Sequence, residues 1–301
     1  LHKAIRRQRQ MCIRDRWNDD QVAAWHWIVD GIKQAGAVAA VQLNHAGRKA
    51  STGCFSIGYE HESVPEEQGG WQTVGPSANA FGPLDKPREL TVDEIHAIVD
   101  QFRDAAWRAY DIGFDAVEIH AAHGYLLSQF LDPLINERED EYGGSFDNRI
   151  RILVEVVDAV RSVIPDTMPV LVRVSATDWA AGGWDLDQTV DLAKVLKKHG
   201  VDLMDVSTGG MIPGVTIPVK PDYQVPFAEQ VRSRAEIPTT AVGLITKPKQ
   251  AKKILKSGAA DAIEIGRAAL RDPNWPLRAA HKLGIPTEDA PYQPQYVRGA
   301  Y

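Results

Sequence analysis

Three consecutive runs between Val170 and Val206 decide the fold: VLVRV at 170–174, LDQTVDLAKVLKK at 186–198 and LMDV at 203–206. The first and last runs are almost entirely apolar, which is typical of a parallel strand covered on both faces. The middle run has the amphipathic spacing of a helix and stops just before Gly200. Together they predict a strand–helix–strand unit of a parallel sheet.

The same alternation extends along most of the chain. Apolar runs predict further strands at 38–43, 116–119, 239–242 and 262–265, and amphipathic stretches predict helices at 20–35, 91–112, 149–163 and 247–257. A doubly wound sheet and a (β/α)8 barrel both fit this α/β pattern. Because a dinucleotide-binding doubly wound fold requires G-x-G-x-x-G after its first strand, and no such run follows any of these strands, the sequence favours a TIM barrel.

The predicted barrel is incomplete. A closed barrel needs eight strands, and these predictions supply six. Residues 52–90 are rich in Gly, Pro and Ser, which is typical of a loop excursion over the barrel mouth rather than of two more strand–helix units. Since no linker divides the chain, residues 17–301 are predicted to form one partial barrel domain.

Composition excludes several classes of protein. A hydrophobic content of 44% over 301 residues supports a full core and excludes disorder, and a formal net charge of −6 argues against nucleic-acid or membrane-surface binding. Two cysteines cannot form a disulfide framework, so a reducing compartment, the cytoplasm, is expected. Only residues 1–16 are basic, and they are expected to be a foreign leader.

Polar side chains follow the predicted strands, and the carboxyl ends of barrel strands carry the working residues of such enzymes. His120 and His123 end one strand and are followed by Tyr125. Two imidazole N–H groups can polarise one carbonyl oxygen, and the phenol can deliver a proton. The alternatives are two structural histidines, or a metal-binding pair in a barrel lyase or hydrolase, although no H-E-x-x-H run or clear third ligand accompanies them.

Charged and glycine positions suggest a cofactor. Arg173 lies within a strand and needs an anionic partner, either Glu118 on the neighbouring strand or a cofactor that becomes negative on reduction. Gly243, and Gly266 with Arg267, close the last two strands, where glycine lets an anion approach backbone N–H groups. This order predicts a phosphate-bearing cofactor.

The segments that carry these candidates resemble the old yellow enzyme family of flavoproteins, the FMN-dependent ene-reductases and NAD(P)H:flavin oxidoreductases, and in particular its thermophilic-like branch. The resemblance rests on VQLNHAGRK at 41–49, HAAHGYLLSQFL at 120–131, VRVS at 172–175 and the Gly266–Arg267 pair. It implies FMN as cofactor, NADPH or NADH as reductant, and an α,β-unsaturated carbonyl compound, an enone or enal, as substrate.

The resemblance also implies roles for the cofactor-binding residues. Gln42 would bond the pyrimidine edge of the flavin, and Arg173 would lie by its N1 atom and C2 oxygen. Gly266 and Arg267 would hold the FMN phosphate, with Gly243 a looser contact in the same region.

For the substrate, the resemblance implies that His120 and His123 bind the carbonyl oxygen. Hydride would come from flavin N5, and Tyr125 would deliver the proton or contact the substrate. Arg298 would reach the site of a neighbouring subunit, which implies a homo-oligomer. Oxidative demethylation and dienoyl reduction are alternative activities within the same family.

Family members begin with two further strand–helix units, and nothing similar precedes Trp17. We therefore expect strands three to eight of the barrel. An open barrel leaves edge strands unpaired, so we expect the 301-residue chain to bind FMN weakly or not at all and to associate. A non-functional fragment is the remaining alternative.

Overall fold

Six parallel strands form the main sheet of the computed structural model, which describes residues 22–53 and 62–300. The predicted leader at residues 1–16 lies outside the described residues. The strands are β1 Ala40–Leu43, β4 Ala116–Ala121, β5 Val170–Ser175, β6 Leu203–Ser207, β7 Thr239–Ala241 and β8 Ala262–Ile263; the short strands β2 Val74–Gly75 and β3 Arg88–Glu89 pair with each other. Each predicted strand is present, with its ends displaced by up to two residues.

Strand order separates the two architectures that the sequence left open. The order in the sheet is β1-β4-β5-β6-β7-β8, so each strand lies beside the next main strand along the chain, with no reversal. A doubly wound sheet reverses its order at a switch point, whereas a barrel sheet does not. The TIM-barrel class is confirmed, and six parallel strands in the described residues agree with the predicted incomplete barrel.

Helices cover the outer face of the sheet. Their bounds are α1 His26–Gln34, α2 Val92–Ile112, α3 Leu126–Leu131, α4 Phe146–Arg161, α5 Leu186–Lys198, α6 Val225–Ala235, α7 Pro248–Ser257, α8 Arg267–Arg271 and α9 Trp275–Leu283. The predicted helix at 20–35 is interrupted by a turn at 24–25: residues 22–23 are helical, and α1 follows from His26. The one predicted at 149–163 starts earlier, because the Ser145 hydroxyl caps α4 by accepting the Asn148 N–H.

The capping box predicted for α2 is present. The hydroxyl of Thr91 accepts the N–H of Glu94 at 3.2 Å, and the Glu94 carboxylate accepts the N–H of Thr91 at 2.9 Å. Gly113, with φ of 98°, ends the helix in the left-handed conformation. These signals fix where α2 begins and ends, and therefore where β4 can start.

Alternation along each strand divides the sheet into an apolar outer face and a polar inner face. In β5, Val170, Val172 and Val174 are fully buried under the helices, whereas Leu171 and Arg173 are only half-buried on the concave side. Since successive strand residues point to opposite faces, the concave side collects the side chains of Gln42, Glu118, His120, Arg173 and Asp205. Among the described residues, no helix combines the length and apolar character needed to cross a membrane.

The described part of the excursion packs over the carboxyl ends of the strands. Arg48, which is 1% exposed, donates to the side chain of Asn79 at 2.9 Å and to the carbonyl of Met211 at 2.7 Å. Arg138 donates to the carbonyls of Pro76 and Leu90. These two buried guanidinium groups tie the excursion to the sheet beside the predicted site.

Candidate active site

One layer of the concave face brings several predicted residues together. Strand register places His120 level with Arg173, Arg173 level with Asp205, and Asp205 level with Thr240. Gln42 is level with Glu118 on the neighbouring strand. Gln42, His120 and Arg173 therefore share one face of one sheet, as the sequence predicted for a single ligand.

The two predicted histidines lie side by side at the end of β4. Nδ1 of His123 is 3.4 Å from Nε2 of His120, and the rings of His120 and Tyr125 are 5.2 Å apart. Burial lowers the pKa of His120 to about 2 and that of His123 to about 3. Both rings are therefore neutral at neutral pH, and each carries a single N–H group.

A chain of polar contacts links the histidine pair to the neighbouring strands. Nε2 of His123 lies 2.8 Å from the hydroxyl oxygen of Ser207, and that oxygen lies 3.3 Å from Oε1 of Gln224. The Gln224 amide completes the chain by donating to the carbonyl of Val242 at 3.2 Å. These contacts fix the position of the His123 ring, and with it that of the His120 ring.

Lys49 supports the turn that carries His123. Its Nζ donates to the carbonyl of His123 at 2.8 Å and also to the carbonyl of Gly210, and it lies 3.8 Å from the ring centre of Phe81. His123 has φ of 58°, an uncommon conformation for a residue with a side chain. Burial and the charge of Arg48 lower the pKa of Lys49 to about 8. The sequence analysis gave Lys49 no role.

Arg173 has anionic partners, but they differ from the predicted one. Its Nε is 3.0 Å from Oδ2 of Asp205, and its Nη2 is 3.3 Å from Oε2 of Glu264. The predicted partner Glu118 instead accepts a hydrogen bond from Nε2 of Gln42 at 2.6 Å. The reason is register: Arg173 is level with His120, two residues beyond Glu118.

The two residues predicted to bind the phosphate are exposed to solvent. Gly266 and Arg267 lie at the start of α8, and a Cβ added at Gly266 would meet no atom within 4 Å. Gly243 has φ of 113°, and a Cβ there would be 2.9 Å from both Tyr223 and Gln224. Arg298 is exposed in the 3-10 helix Pro294–Gly299.

The residues on the concave face fit a flavin. Nδ1 of His120 is buried without a hydrogen-bond partner in the described part of the chain, and Nε of Arg173 faces Asp205 without hydrogen-bond alignment. Buried polar atoms of this kind generally have a ligand, ion or water as partner. The amide of Gln42 and the half-buried Arg173 offer the polar groups that a flavin ring needs, and the space beside Gly266 can accept a phosphate group.

Comparison with known sequences decides the family. The profile of the NADH:flavin oxidoreductase / NADH oxidase family matches residues 8–285. The chain belongs to this family. A relative called NADPH dehydrogenase, from Listeria monocytogenes serotype 4b, is 48% identical over 269 residues, which cover 89% of this chain and 74% of the relative. As a member of this family of flavin-dependent NAD(P)H oxidoreductases, the protein is an enzyme with FMN as its cofactor and NADPH or NADH as its reductant, as predicted.

Solved structures agree with this family. An old yellow enzyme homologue from Zymomonas mobilis has a TM-score of 0.71 and 30% identity, over 88% of this chain and 73% of that protein. Morphinone reductase, in a complex with tetrahydroNAD, has a TM-score of 0.70 and 32% identity, over 90% of this chain and 72% of that one. The predicted resemblance to old yellow enzyme is confirmed.

Asp205 and Glu264 are two further residues of this site that the sequence analysis missed. A usable signal was present for Asp205, because a carboxylate inside the apolar run LMDV is as costly to bury as the guanidinium of Arg173. Two oppositely charged residues inside neighbouring strands would have predicted their pairing. Glu264 carried the same signal, since it lies inside the run AIEI at 262–265 that the sequence predicted as a strand, although the observed β8 ends at Ile263.

Proposed function

We propose that this protein reduces the activated C=C bond of α,β-unsaturated carbonyl compounds, with electrons from NAD(P)H. The observation that carries the proposal is the pair of neutral imidazoles beside Tyr125, in the same layer as Arg173 and one strand from Gln42. FMN, when bound, supplies the hydride that reaches the β-carbon. The chain itself binds the carbonyl and provides the proton at the α-carbon.

His120 is the principal carbonyl donor in this proposal. Nε2–H of His120 turns from His123 to the substrate oxygen, where it stabilises the negative charge that develops as the C=C bond is reduced. His123, held by Ser207, fixes the position of its neighbour. Tyr125 then delivers the proton, since its ring lies 5.2 Å from that of His120.

For the cofactor, the proposed contacts are those that the resemblance implies. Gln42 and Arg173 bind the flavin ring, and Gly266 and Arg267 bind the phosphate, with Gly243 shaping the turn between them. We further propose a cytoplasmic homo-oligomer in which Arg298 reaches the neighbouring subunit's site.

The test is NADPH-dependent reduction of cyclohexenone at saturating FMN. We expect His120→Ala to lower kcat/KM about 100-fold or more, the loss typical of one preorganised donor, and Tyr125→Phe to lower it by a similar factor. NADPH oxidation with oxygen as acceptor needs no carbonyl donor, so both variants should retain it. The matched control is His199→Ala, which removes a surface histidine paired with Asp158.

Enone reduction by His120→Ala at the wild-type rate would refute the role of the histidine pair. The same assay with a dienoyl thioester tests dienoyl reduction. Release of formaldehyde from an N-methyl amine, with oxygen as electron acceptor and without NADPH, tests oxidative demethylation. Wild-type turnover of either, without turnover of cyclohexenone, would replace the proposed substrate class.

A further inference from the structure

Three carboxylates form the base of the concave face below the proposed flavin site. Glu118 from β4, Asp205 from β6 and Glu264 just after β8 each offer an oxygen within 4.8 Å of the others. We call these three residues the acidic floor. No step of the proposed reaction uses any of them.

The acidic floor contacts both proposed flavin-binding side chains of the strands. Glu118 accepts from the Gln42 amide at 2.6 Å, so the nitrogen end of that amide is committed to the floor. Asp205 and Glu264 lie 3.0 Å and 3.3 Å from nitrogens of Arg173. In the described residues, the opposite edge of that guanidinium, which carries Nη1, has no hydrogen-bond or ion-pair partner.

The central member of the floor is rigid. Asp205 is fully buried, and its Oδ1 accepts the hydroxyl of Thr240 at 2.8 Å. Arg173 is 21% exposed, so its remaining edge faces the hollow of the sheet while Asp205 anchors the other edge. A guanidinium is planar, and holding one edge fixes the direction of the other.

Above about pH 8, charge on the floor opposes the charge that Arg173 presents. Burial raises the pKa of Glu118 to about 7 and that of Asp205 to about 8, and burial raises the pKa of Glu264 as well, so Asp205 is mainly ionised only above about pH 8. The guanidinium is the cation that Asp205 and Glu264 contact, which argues for a clamp on an arginine rather than a metal site. A negative charge behind Arg173 weakens its attraction for any anion in front.

We propose that the acidic floor positions Gln42 and Arg173 for the flavin and reduces the preference of the site for reduced over oxidised FMN. This inference rests on the proposed function, because it requires FMN on the concave face. Glu118, Asp205 and Glu264 are positioning residues: they act through the side chains that they hold.

This test and the unfolding test below are run at about pH 9, above the pKa of Asp205, so that its carboxylate is ionised. The test compares dissociation constants for oxidised FMN, measured by fluorescence titration, and for reduced FMN, measured anaerobically. Asp205→Asn keeps the shape and an acceptor oxygen but removes the charge. We expect the ratio of the oxidised to the reduced constant to rise about tenfold. Asp205→Ala also removes the side chain that holds Arg173, so we expect it to weaken the binding of both forms of FMN. A structural role alone would not separate the two substitutions in this way.

A matched control lies on the same strand segment. Asp202 pairs with Arg161 at the other end of β6, away from the concave face, and Asp202→Asn should leave the ratio unchanged. An unchanged ratio in Asp205→Asn, with FMN bound by the wild type, overturns the inference and leaves the proposed function intact. Failure of the wild type to bind either form of FMN overturns the proposed function for this chain, and the inference with it, and supports the alternative of a non-functional fragment.

A ligand-free measurement tests the clamp separately. The effects of Arg173→Gln and Asp205→Asn on the unfolding equilibrium constant are measured in urea, singly and together. We expect the double variant to differ by about tenfold from the product of the two single effects, as for other buried charge pairs in contact. Additive effects would show that Asp205 does not hold Arg173, and would overturn the inference whatever the affinity for FMN.

Discussion

Replacing Asp178 with asparagine should change how stability depends on pH. Asp178 is 1% exposed, and its Oδ2 accepts the N–H of Trp184 at 2.9 Å. Burial and the neighbouring carboxyl of Asp132 raise its pKa to about 9. Oδ2 of Asp132 is buried without a donor among the described residues. A proton on Asp178 supplies that donor, and the amide of asparagine can do the same.

The sign follows from where the proton binds. An unfolded aspartate has a pKa of about 3.9, so between that value and about 9 the folded protein holds a proton that the unfolded chain has lost. The stability that this proton contributes is fully present below about pH 4 and is lost as pH rises toward about pH 9. In this range the free energy of unfolding falls by about 1.4 kcal/mol per pH unit, which is about 3 kcal/mol between about pH 5 and pH 7.

The assay is urea unfolding of the wild type and Asp178→Asn at several pH values. Relative to that of the wild type, the free energy of unfolding of the variant should increase by up to about 3 kcal/mol between about pH 5 and pH 7. Asp261→Asn is the control. Because Arg232 lowers the pKa of Asp261, the change in unfolding free energy that this substitution causes should be the same at every pH in that range. A constant difference between Asp178→Asn and the wild type would refute the buried protonated carboxyl.

Three further substitutions test the site and its frame by urea unfolding. Gly124→Ala should destabilise by more than about 1 kcal/mol, because Gly124 has φ of 72° and the new Cβ would lie 2.4 Å from the carbonyl oxygen of Gly210; a neutral result would contradict the close approach. Thr91→Ala should cost about 1 kcal/mol through loss of the α2 cap, and Thr91→Ser should restore most of it. Ser207→Ala should cost about 1 kcal/mol by leaving a His123 ring nitrogen without its partner, and unchanged stability would argue against this hydrogen bond.

The sequence predicted the sheet well because each strand carries its own signal. Parallel strands buried on both faces are apolar throughout, so their existence and order can be read without tertiary information. The helix at 186–198 was predicted with its observed bounds, since Asp185 caps it and Gly200 follows closely. The helix Val225–Ala235 was missed: Pro226 falls in its first turn, and three charged residues interrupt its apolar spacing.

The candidate site was predicted in its types of residue and only partly in its contacts. His120, His123 and Tyr125 were expected together, because one strand end carries all three. The contacts that hold the His123 ring come from Ser207 and, through it, from Gln224, which lie in β6 and just before α6. No local pattern relates those segments to the histidines, so this detail required the structure.

The partner of Arg173 illustrates what limits such predictions. Sequence identifies a guanidinium inside a strand and the requirement for an anion nearby, but it does not give the stagger between strands. A shift of two residues keeps a side chain on the same face and moves it by about 7 Å along the strand, which is enough to exchange one ion pair for another. Register sets Glu118 beside Leu171 and Asp205 beside Arg173. The same stagger leaves Glu118 free to hold Gln42. The strand register therefore decides which carboxylate contacts each of the two side chains proposed to bind the flavin.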